Sequence, residues 1–273
     1  MAQGLDTHDI KMVAVDIDGT FVRSDYTYDV PRFRRVFSRM QKAGCSFVVA
    51  SGNQYYQLRD LFPGFQEEIS FVAENGAFVK DRTELVFAAD MPRETVHAAI
   101  DLCRESPEIL TVMCGMESAY CQRGTVSQDF FELTKLYCHR LKWVDDFKSV
   151  DDRILKFAIT VPGEKTDHYY ELFRKRLTGT AVPTTSGHGA IDLILPGCHK
   201  ASGLKRLAAR HGITPQQCAA FGDGGNDIEM LKYCGYSYAM GNAPQNVKDA
   251  AKYVCPSNAE DGVLVTLEKL FPE

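Results

Sequence analysis

The sequence predicts an α/β fold in which a parallel β-sheet, with helices on both faces, is interrupted by a smaller inserted α+β domain. Near the N-terminus, short apolar runs at 11–16, 46–50 and 69–73 alternate with helix-like segments. Runs that are apolar throughout are typical of parallel strands, because helices cover both faces of such a sheet. The same alternation returns after residue 200. Both ends of the chain are therefore predicted to build one sheet.

The helices of this sheet protein are predicted from caps and apolar spacing. Asp29 can cap the first helix and Pro31 suits its first turn, and apolar residues then recur at helical spacing up to Gly44. A short helix is predicted from Gln54 to Leu61. In the C-terminal part, helices are predicted at 200–211, 226–234, 245–251 and 261–270, and strands at 218–223 and 236–240.

The middle of the chain has a different pattern. Helix-like segments at Arg93–Glu105, Ser127–Leu141 and Lys165–Leu177 alternate with the strands LTVMC, SAYCQ and KFAITV, which carry more polar residues. Such a mixture favours an α+β domain whose sheet is covered on one face. The predicted division is a core formed by 1–84 and 191–273, and an inserted domain formed by 85–190.

Composition limits the classes of partner. The chain has 36 acidic and 31 basic residues, a formal net charge of -5, which argues against a nucleic-acid groove. No apolar run approaches the roughly 18 residues of a membrane span. The N-terminus lacks the basic and apolar regions of a secretory signal, so we expect a cytoplasmic protein. We also expect a monomer or small homo-oligomer.

Nine cysteines raise the alternatives of zinc binding and disulfides. Their number is odd and no C-x-x-C pair occurs. In a chain of this size without a signal segment, such cysteines are usually small buried hydrophobic residues that stay reduced. We predict that role for all nine.

Two carboxylates at the end of the first strand are the first chemical signal. Asp16 and Asp18 are two residues apart, so in a strand their side chains point to the same side. Open α/β sheets bind ligands beyond the carboxyl ends of their strands. Carboxylates so close repel each other unless a cation relieves them, and Mg²⁺ prefers such oxygen ligands. Taken alone, the pattern fits a solvated Asp-Gly turn equally well.

Further polar residues follow other predicted strands. Ser51 and Gly52 follow the second strand, where a hydroxyl and a bare backbone amide can hold an anion, although Ser-Gly is also a common turn. Lys200 opens a helix and, alone, is more typical of a surface charge. The loop from Gly222 to Asp227 places Asp223 and Asp227 after another apolar strand. It does not fit the dinucleotide fingerprint G-x-G-x-x-G.

These motifs together resemble the haloacid dehalogenase superfamily over nearly the whole chain. The residues that carry the resemblance are Asp16-x-Asp18-Gly19-Thr20, Ser51-Gly52, Lys200 and Gly222-Asp223-x-x-Asn226-Asp227. The segments 73–77 and 260–263, with the insertion, resemble the Cof-type phosphatases, which have a Rossmann-like core and an α/β cap. The segments 49–58 and 183–187 are similar to bacterial sugar phosphatases of the SupH/YbiV type. The resemblance implies a magnesium-dependent phosphoric monoester hydrolase with a catalytic core and a cap that selects the substrate.

The resemblance also implies roles for individual residues. Asp16 would attack phosphorus and form an aspartyl-phosphate, and Asp18 would protonate the leaving alcohol and then activate water. Mg²⁺ would bind Asp16, the backbone carbonyl of Asp18, and Asp223. The phosphoryl oxygens would be held by Ser51, the Gly52 amide, Lys200 and Asn226. Thr20, Asn53 and Asp227 would support the site, Asp227 by orienting either Lys200 or a metal-bound water.

The substrate implied is a small phosphorylated metabolite. Many relatives carry Arg where this chain has Asn53, and losing that charge favours a neutral hexose or pentose with one phosphate. The alternatives are a sugar phosphotransferase or phosphomutase, a phosphatase of a nucleotide or cofactor phosphate, and an idle binding protein. Ser186, Gly187 and His188 are candidates to reach over the substrate, although His188 also suits an exposed loop. Tyr55 and Tyr56 can stack on a sugar or pack in the core, and we favour the core for at least one.

Overall fold

The computed structural model describes residues 9–187 and 189–273, and the α/β class is confirmed. Within those residues the strands β1 to β14 are, in chain order, Met12–Val15, Ser46–Ala50, Ser70–Ala73, Phe78–Asp81, Glu84–Ala88, Leu110–Gly115, Ala119–Gln122, Leu141–Val144, Ile154–Thr160, Val182–Gly187, Ala190–Ile194, Cys218–Gly222, Tyr236–Ala239 and Tyr253–Val254. The helices α1 to α9 are Val30–Lys42, Tyr55–Leu61, Arg93–Cys103, Gln128–Thr134, Thr166–Arg176, Lys200–Arg210, Ile228–Tyr233, Gln245–Ala250 and Gly262–Leu270.

The strands form two sheets. The larger has the order β14-β13-β12-β1-β2-β3-β4-β5, in which the pairings from β14 to β3 are parallel and β4 and β5 are antiparallel. The smaller has the order β10-β11-β9-β6-β7-β8. As predicted, both ends of the chain contribute to the larger sheet, which we call the core sheet. The smaller one, the cap sheet, comes from the middle of the chain.

Helices cover both faces of the core sheet, as the continuous apolar strands predicted. Helix α1 begins where expected, because the Asp29 side chain accepts a hydrogen bond from the backbone amide of Arg32. Its buried face packs aromatic side chains against Phe47 of β2, with Phe33 and Phe47 ring centroids 5.0 Å apart. On the other face, helix α6 buries Leu204 and Leu207 in a second apolar cluster. Burying such side chains fixes the sheet from both sides.

Both crossings between the two sheets differ from the predicted division by a few residues. Strand β5 continues to Ala88 and pairs with β4, so it belongs to the core sheet, whereas the predicted division places residues 85–88 in the inserted domain. Strand β11 pairs with β9 of the cap sheet, whereas the predicted division places 191–194 in the core. Ladder pairing, which short sequence patterns do not reveal, decides both. The division into a catalytic core and a selecting cap remains a proposal.

The helix predicted over Ser127–Leu141 is too long. Helix α4 ends at Thr134, and Leu141 begins strand β8, which pairs in parallel with β7. The ring of Trp143 in β8 stacks on Phe131 of α4, with centroids 4.3 Å apart. The sequence pattern does not reveal the end of the helix, because apolar residues continue past it and their tertiary packing overrides helical spacing.

All nine cysteines are buried and free, as predicted. Among the described residues, no helix combines the length and the apolar character that crossing a membrane requires.

Candidate active site

The candidate site lies where the order of the strands in the core sheet reverses, with earlier strands added on one side of β1 and later strands on the other. Strand β1 is central, with β2 on one side and β12 on the other. Asp16 directly follows β1, Ser51 follows β2 and Asp223 follows β12. Because the three strands are parallel, their carboxyl ends meet at one edge, which is the ligand-binding edge of such sheets.

Lys200 forms a buried ion pair with two of the aspartates. Its Nζ donates to Oδ1 of Asp16 and to Oδ1 of Asp227, each at 2.7 Å, and the lysine side chain is 1% exposed. It is the first residue of α6, where the His199 ring caps the helix by accepting from the Ser202 amide. The surface-charge interpretation of this lysine is therefore wrong, because the helix start directs the side chain under the strand ends.

Burial and neighbouring charges shift the pKa values of Asp16 and Lys200. Burial and the negative charge of Asp227 raise the pKa of Asp16 well above its ordinary value, although Lys200 opposes the effect. Burial alone would lower the pKa of Lys200, but Asp16 and Asp227 raise it above its ordinary value. The lysine therefore remains a cation beside the predicted nucleophile.

Both carboxylate oxygens of Asp227 are engaged within the protein. While Oδ1 accepts from Lys200, Oδ2 accepts from the backbone amides of Asp223 and Gly224 at 3.0 and 2.9 Å. The residue is completely buried. Of the two predicted roles, orienting Lys200 or a metal-bound water, the contacts favour orienting Lys200, and they also fix the loop that carries Asp223.

Asp223 approaches the turn after β1 closely. Thr20 donates from Oγ1 to Oδ1 of Asp223 at 2.7 Å, and burial raises the pKa of Asp223 to about 6. Gly19 has a φ of +70°, and a Cβ there would lie 2.3 Å from Oδ2 of Asp223. Glycine is therefore needed at position 19 for both its backbone conformation and this contact.

The aspartate cluster could hold a metal ion. Carboxylate oxygens of Asp16, Asp223 and Asp227 lie within 4.8 Å of one another. The Oδ2 atoms of Asp16 and Asp223 accept no hydrogen bond from the described residues, so both are available, whereas both oxygens of Asp227 already accept hydrogen bonds. Oxygen donors of this kind suit a hard divalent cation. The Asp18 side chain is not part of the cluster, and its predicted contribution through the backbone carbonyl stays a prediction.

Asp18 is held by two donors. Asn53 donates from Nδ2 to Oδ2 at 2.8 Å, and the Tyr26 hydroxyl donates to Oδ1. The Tyr26 ring also makes an edge contact with Tyr137, with centroids 6.1 Å apart. Burial and the Asp18 charge raise the pKa of Tyr26, so the hydroxyl stays a donor. Sequence reasoning missed Tyr26, because an isolated tyrosine in a loop carries no motif.

The predicted phosphate-binding residues surround the same space. Ser51 is 1% exposed, and its Oγ accepts from the Asn53 amide at 3.1 Å, which leaves the hydroxyl proton free to bind a ligand. Asn226 donates from Nδ2 to Oδ1 of Asn75 at 3.2 Å. A Cβ at Gly52 would lie 3.2 Å from the side-chain nitrogen Nδ2 of Asn75, so a larger residue at position 52 would press against the Asn75 side chain.

A cavity of about 620 Å³ connects these groups beneath the cap sheet. Among the predicted site residues, those that line it are Asp16, Asp18, Ser51, Gly52, Asn53, Asp223 and Asn226. Lys200, Thr20 and Asp227 do not line it and contact those that do. A more open groove along α1 has about 1040 Å³, but its charged lining is mainly basic and holds no paired carboxylates. The smaller cavity is therefore the candidate active site.

The other predicted substrate contacts have mixed outcomes. Ser186 and Gly187 lie in β10, but His188 lies outside the described residues. Tyr55 packs in the core beside Phe78, with ring centroids 5.0 Å apart, so the favoured core interpretation is confirmed for it. Tyr56 stacks under the Arg140 guanidinium. Neither tyrosine lines the cavity.

Comparisons with known proteins agree with this geometry. The family model described as haloacid dehalogenase-like hydrolase matches residues 13–267. In Escherichia coli K12, 5-amino-6-(5-phospho-D-ribitylamino)uracil phosphatase YbjI is 40% identical over 262 residues, which are 96% of this chain and 96% of that protein. Phosphoglycolate phosphatase 1 of Saccharolobus solfataricus is 27% identical over 264 residues, again 96% of each chain.

A solved structure extends the agreement to the whole fold. SMU.1108c of Streptococcus mutans UA159 is 37% identical, with a TM-score of 0.92 over 97% of this chain and 100% of that one. The resemblance inferred from the motifs is therefore confirmed. The chain belongs to the haloacid dehalogenase-like hydrolase family and, like its named relatives, is a phosphoric monoester hydrolase.

Proposed function

We propose that the chain is a Mg²⁺-dependent phosphatase of sugar or sugar-alcohol monophosphates that acts through a phosphorylated Asp16. The observation that carries this proposal is the group at the carboxyl ends of β1 and β12. There Asp16 offers one oxygen to Lys200 at 2.7 Å and keeps the other free, beside the free oxygen of Asp223. A nucleophile with a fixed cation and a second oxygen donor suits phosphoryl transfer.

The chain's residues divide the reaction into two steps. One carboxylate oxygen of Asp16 bonds to phosphorus while the bond to the leaving oxygen breaks, and Asp18 gives the leaving oxygen its proton. Asp18 then takes a proton from water, whose oxygen attacks phosphorus, and inorganic phosphate leaves Asp16. Ser51 and the Gly52 amide hold the phosphoryl oxygens throughout, while Lys200 keeps its positive charge beside Asp16. When bound by Asp16 and Asp223, Mg²⁺ offsets the repulsion between carboxylate and phosphate.

The choice of substrate class rests on the cavity and on one relative. The named substrate of the Escherichia coli relative is a phosphorylated ribityl chain joined to a pyrimidine. Among the described residues that line the cavity, Lys156 supplies the positive charge, and it is already paired with Asp192 and Glu74. A second phosphate therefore finds no free cation there, which favours monophosphate hydrolysis over a phosphotransferase or phosphomutase reaction.

A panel of phosphorylated metabolites tests this function. After treatment with EDTA, we expect no phosphate release, and added Mg²⁺ should restore it because Asp16 and Asp223 offer the ion free carboxylate oxygens. Sugar and sugar-alcohol monophosphates should have higher kcat/KM than nucleoside diphosphates or sugar bisphosphates. Full activity without a divalent ion contradicts the metal role, and a preference for bisphosphates contradicts the substrate class.

Tyr26→Phe should lower kcat by about tenfold, because it removes one of the two donors that orient Asp18. KM should change little, since Tyr26 does not line the cavity. The measurement is steady-state kinetics with Mg²⁺ present. Tyr253→Phe is the matched control, because Tyr253 lies in the edge strand β14, far along the sheet from Asp18. An unchanged kcat would show that Asn53 alone positions Asp18.

A further inference from the structure

Three charged side chains on the cavity wall take no part in the proposed chemistry. Lys156 lies on β9 and Asp192 on the adjacent β11, both in the cap sheet, whereas Glu74 follows β3 of the core sheet. All three line the cavity. Lys156 and Glu74 are 4% and 2% exposed, and charges are rarely buried to this extent without a paired or ligand-binding role.

Lys156 holds the group together. Its Nζ donates to Oδ2 of Asp192 at 2.9 Å and to the Gly52 carbonyl at 2.7 Å. Oε2 of Glu74 lies 3.3 Å from the same Nζ. Burial would lower the pKa of Lys156, but Asp192 and Glu74 raise it, so the lysine stays charged. Two carboxylates therefore share one cation.

The carboxylates keep unused hydrogen-bonding capacity. Oε2 of Glu74 is buried and has an ion-pair neighbour, but it accepts no hydrogen bond from any residue that the structure describes. Oδ2 of Asp192 accepts from Lys156 and from Nδ2 of Asn75, and its Oδ1 accepts none from the described residues. A buried carboxylate oxygen without a donor is costly, so a group that donates hydrogen bonds would be bound favourably here.

The cavity wall beside Glu74 and Asp192 limits which hydrogen-bond donors of a ligand can bind there. Val112, Cys114 and Ala158 form an apolar part of the cap-sheet wall. A flexible chain with several hydroxyls can donate to Glu74 and Asp192 while its carbon atoms rest on that apolar wall. A second anion is disfavoured, because the two carboxylates outnumber the single cation.

On the basis of the function proposed above, we propose that Glu74 and Asp192, bridged by Lys156, form a subsite that binds hydroxyl groups of the leaving alcohol. The subsite selects a polyhydroxylated sugar or sugar-alcohol chain over a leaving group without hydroxyls. Lys156 also connects the subsite to the proposed phosphate-binding turn at Ser51 and Gly52, since its Nζ donates to the Gly52 carbonyl.

Two substrates separate hydroxyl binding from phosphate chemistry: ribitol 5-phosphate, and p-nitrophenyl phosphate, which has no hydroxyl in its leaving group. Glu74→Gln and Asp192→Asn should each lower kcat/KM for ribitol 5-phosphate by about tenfold or more, the usual loss for a hydrogen bond to a charged group. The same variants should change kcat/KM for p-nitrophenyl phosphate by less than about threefold. Glu94→Gln and Asp151→Asn, both at exposed positions, are the matched controls.

The outcomes distinguish the subsite from the function on which it rests. An equal loss with both substrates would show that these residues support the phosphate-binding turn, and would overturn the subsite while leaving the phosphatase in place. If the wild type hydrolyses neither substrate, the proposed function fails instead. Titration calorimetry with the Asp16→Asn variant then measures the binding of ribitol 5-phosphate without turnover, and so tests the subsite separately from the reaction. There Glu74→Gln should raise the Kd of ribitol 5-phosphate about tenfold, and an unchanged Kd overturns the inference.

Discussion

Asp16→Asn should reduce Mg²⁺-dependent phosphate release by at least about 1,000-fold, because it removes the nucleophile on which both proposed steps depend. The amide has no negative charge to attack phosphorus, and it weakens the contact that Asp16 makes with Lys200 at 2.7 Å. It also removes a ligand from the predicted metal cluster. Initial rates with ribitol 5-phosphate and with p-nitrophenyl phosphate measure the loss.

The variant should still fold, so the loss can be assigned to chemistry. Asparagine has nearly the shape of aspartate, and Lys200 keeps its contact with Asp227. Thermal unfolding and circular dichroism should therefore resemble the wild type. Asp129→Asn, at an exposed position on α4, is the control for loss of one carboxylate. Mass spectrometry of quenched wild-type enzyme should find phosphate on Asp16. Turnover near the wild-type rate in Asp16→Asn would remove this residue as the nucleophile.

Features that depend on local sequence were the ones that could be predicted. The parallel core sheet followed from apolar runs that alternate with capped helices, and Asp29 caps α1 where expected. The convergence of Asp16, Ser51 and Asp223 also followed, because residues after parallel strands must meet at one edge of the sheet. The chemical roles given to these residues stay predictions.

Contacts made by side chains outside any motif could not be predicted. Tyr26 reaches Asp18 across a loop, and Lys156 of the cap sheet reaches Gly52 of the core, 104 residues away in sequence. The conformation of the loop sets the first contact, and the packing of the two sheets sets the second. A lone buried lysine has the same local sequence signal as an exposed one, so its burial becomes visible in the fold alone.

Lys200 is the residue whose removal should affect stability and activity together. Lys200→Met leaves Asp16 and Asp227 buried without their shared cation, and breaking such a buried pair usually costs about 3–5 kcal/mol. Phosphate release should be lost as well, because the cation beside the nucleophile is gone. Lys232→Met, at an exposed position on α7, is the matched control and should change neither property.

The pH dependence of that destabilisation identifies its electrostatic cause. The pKa of Asp16 is already raised above its ordinary value by burial and by Asp227, and loss of the opposing lysine should raise it further. A carboxyl group whose pKa is higher in the folded than in the unfolded state takes up protons on folding, so it favours the folded state as pH falls. The difference in Tm between wild type and Lys200→Met should therefore be smaller at about pH 5 than at about pH 8. A difference that is the same at both values would mean that lost packing, and not two unpaired carboxylates, destabilises the variant.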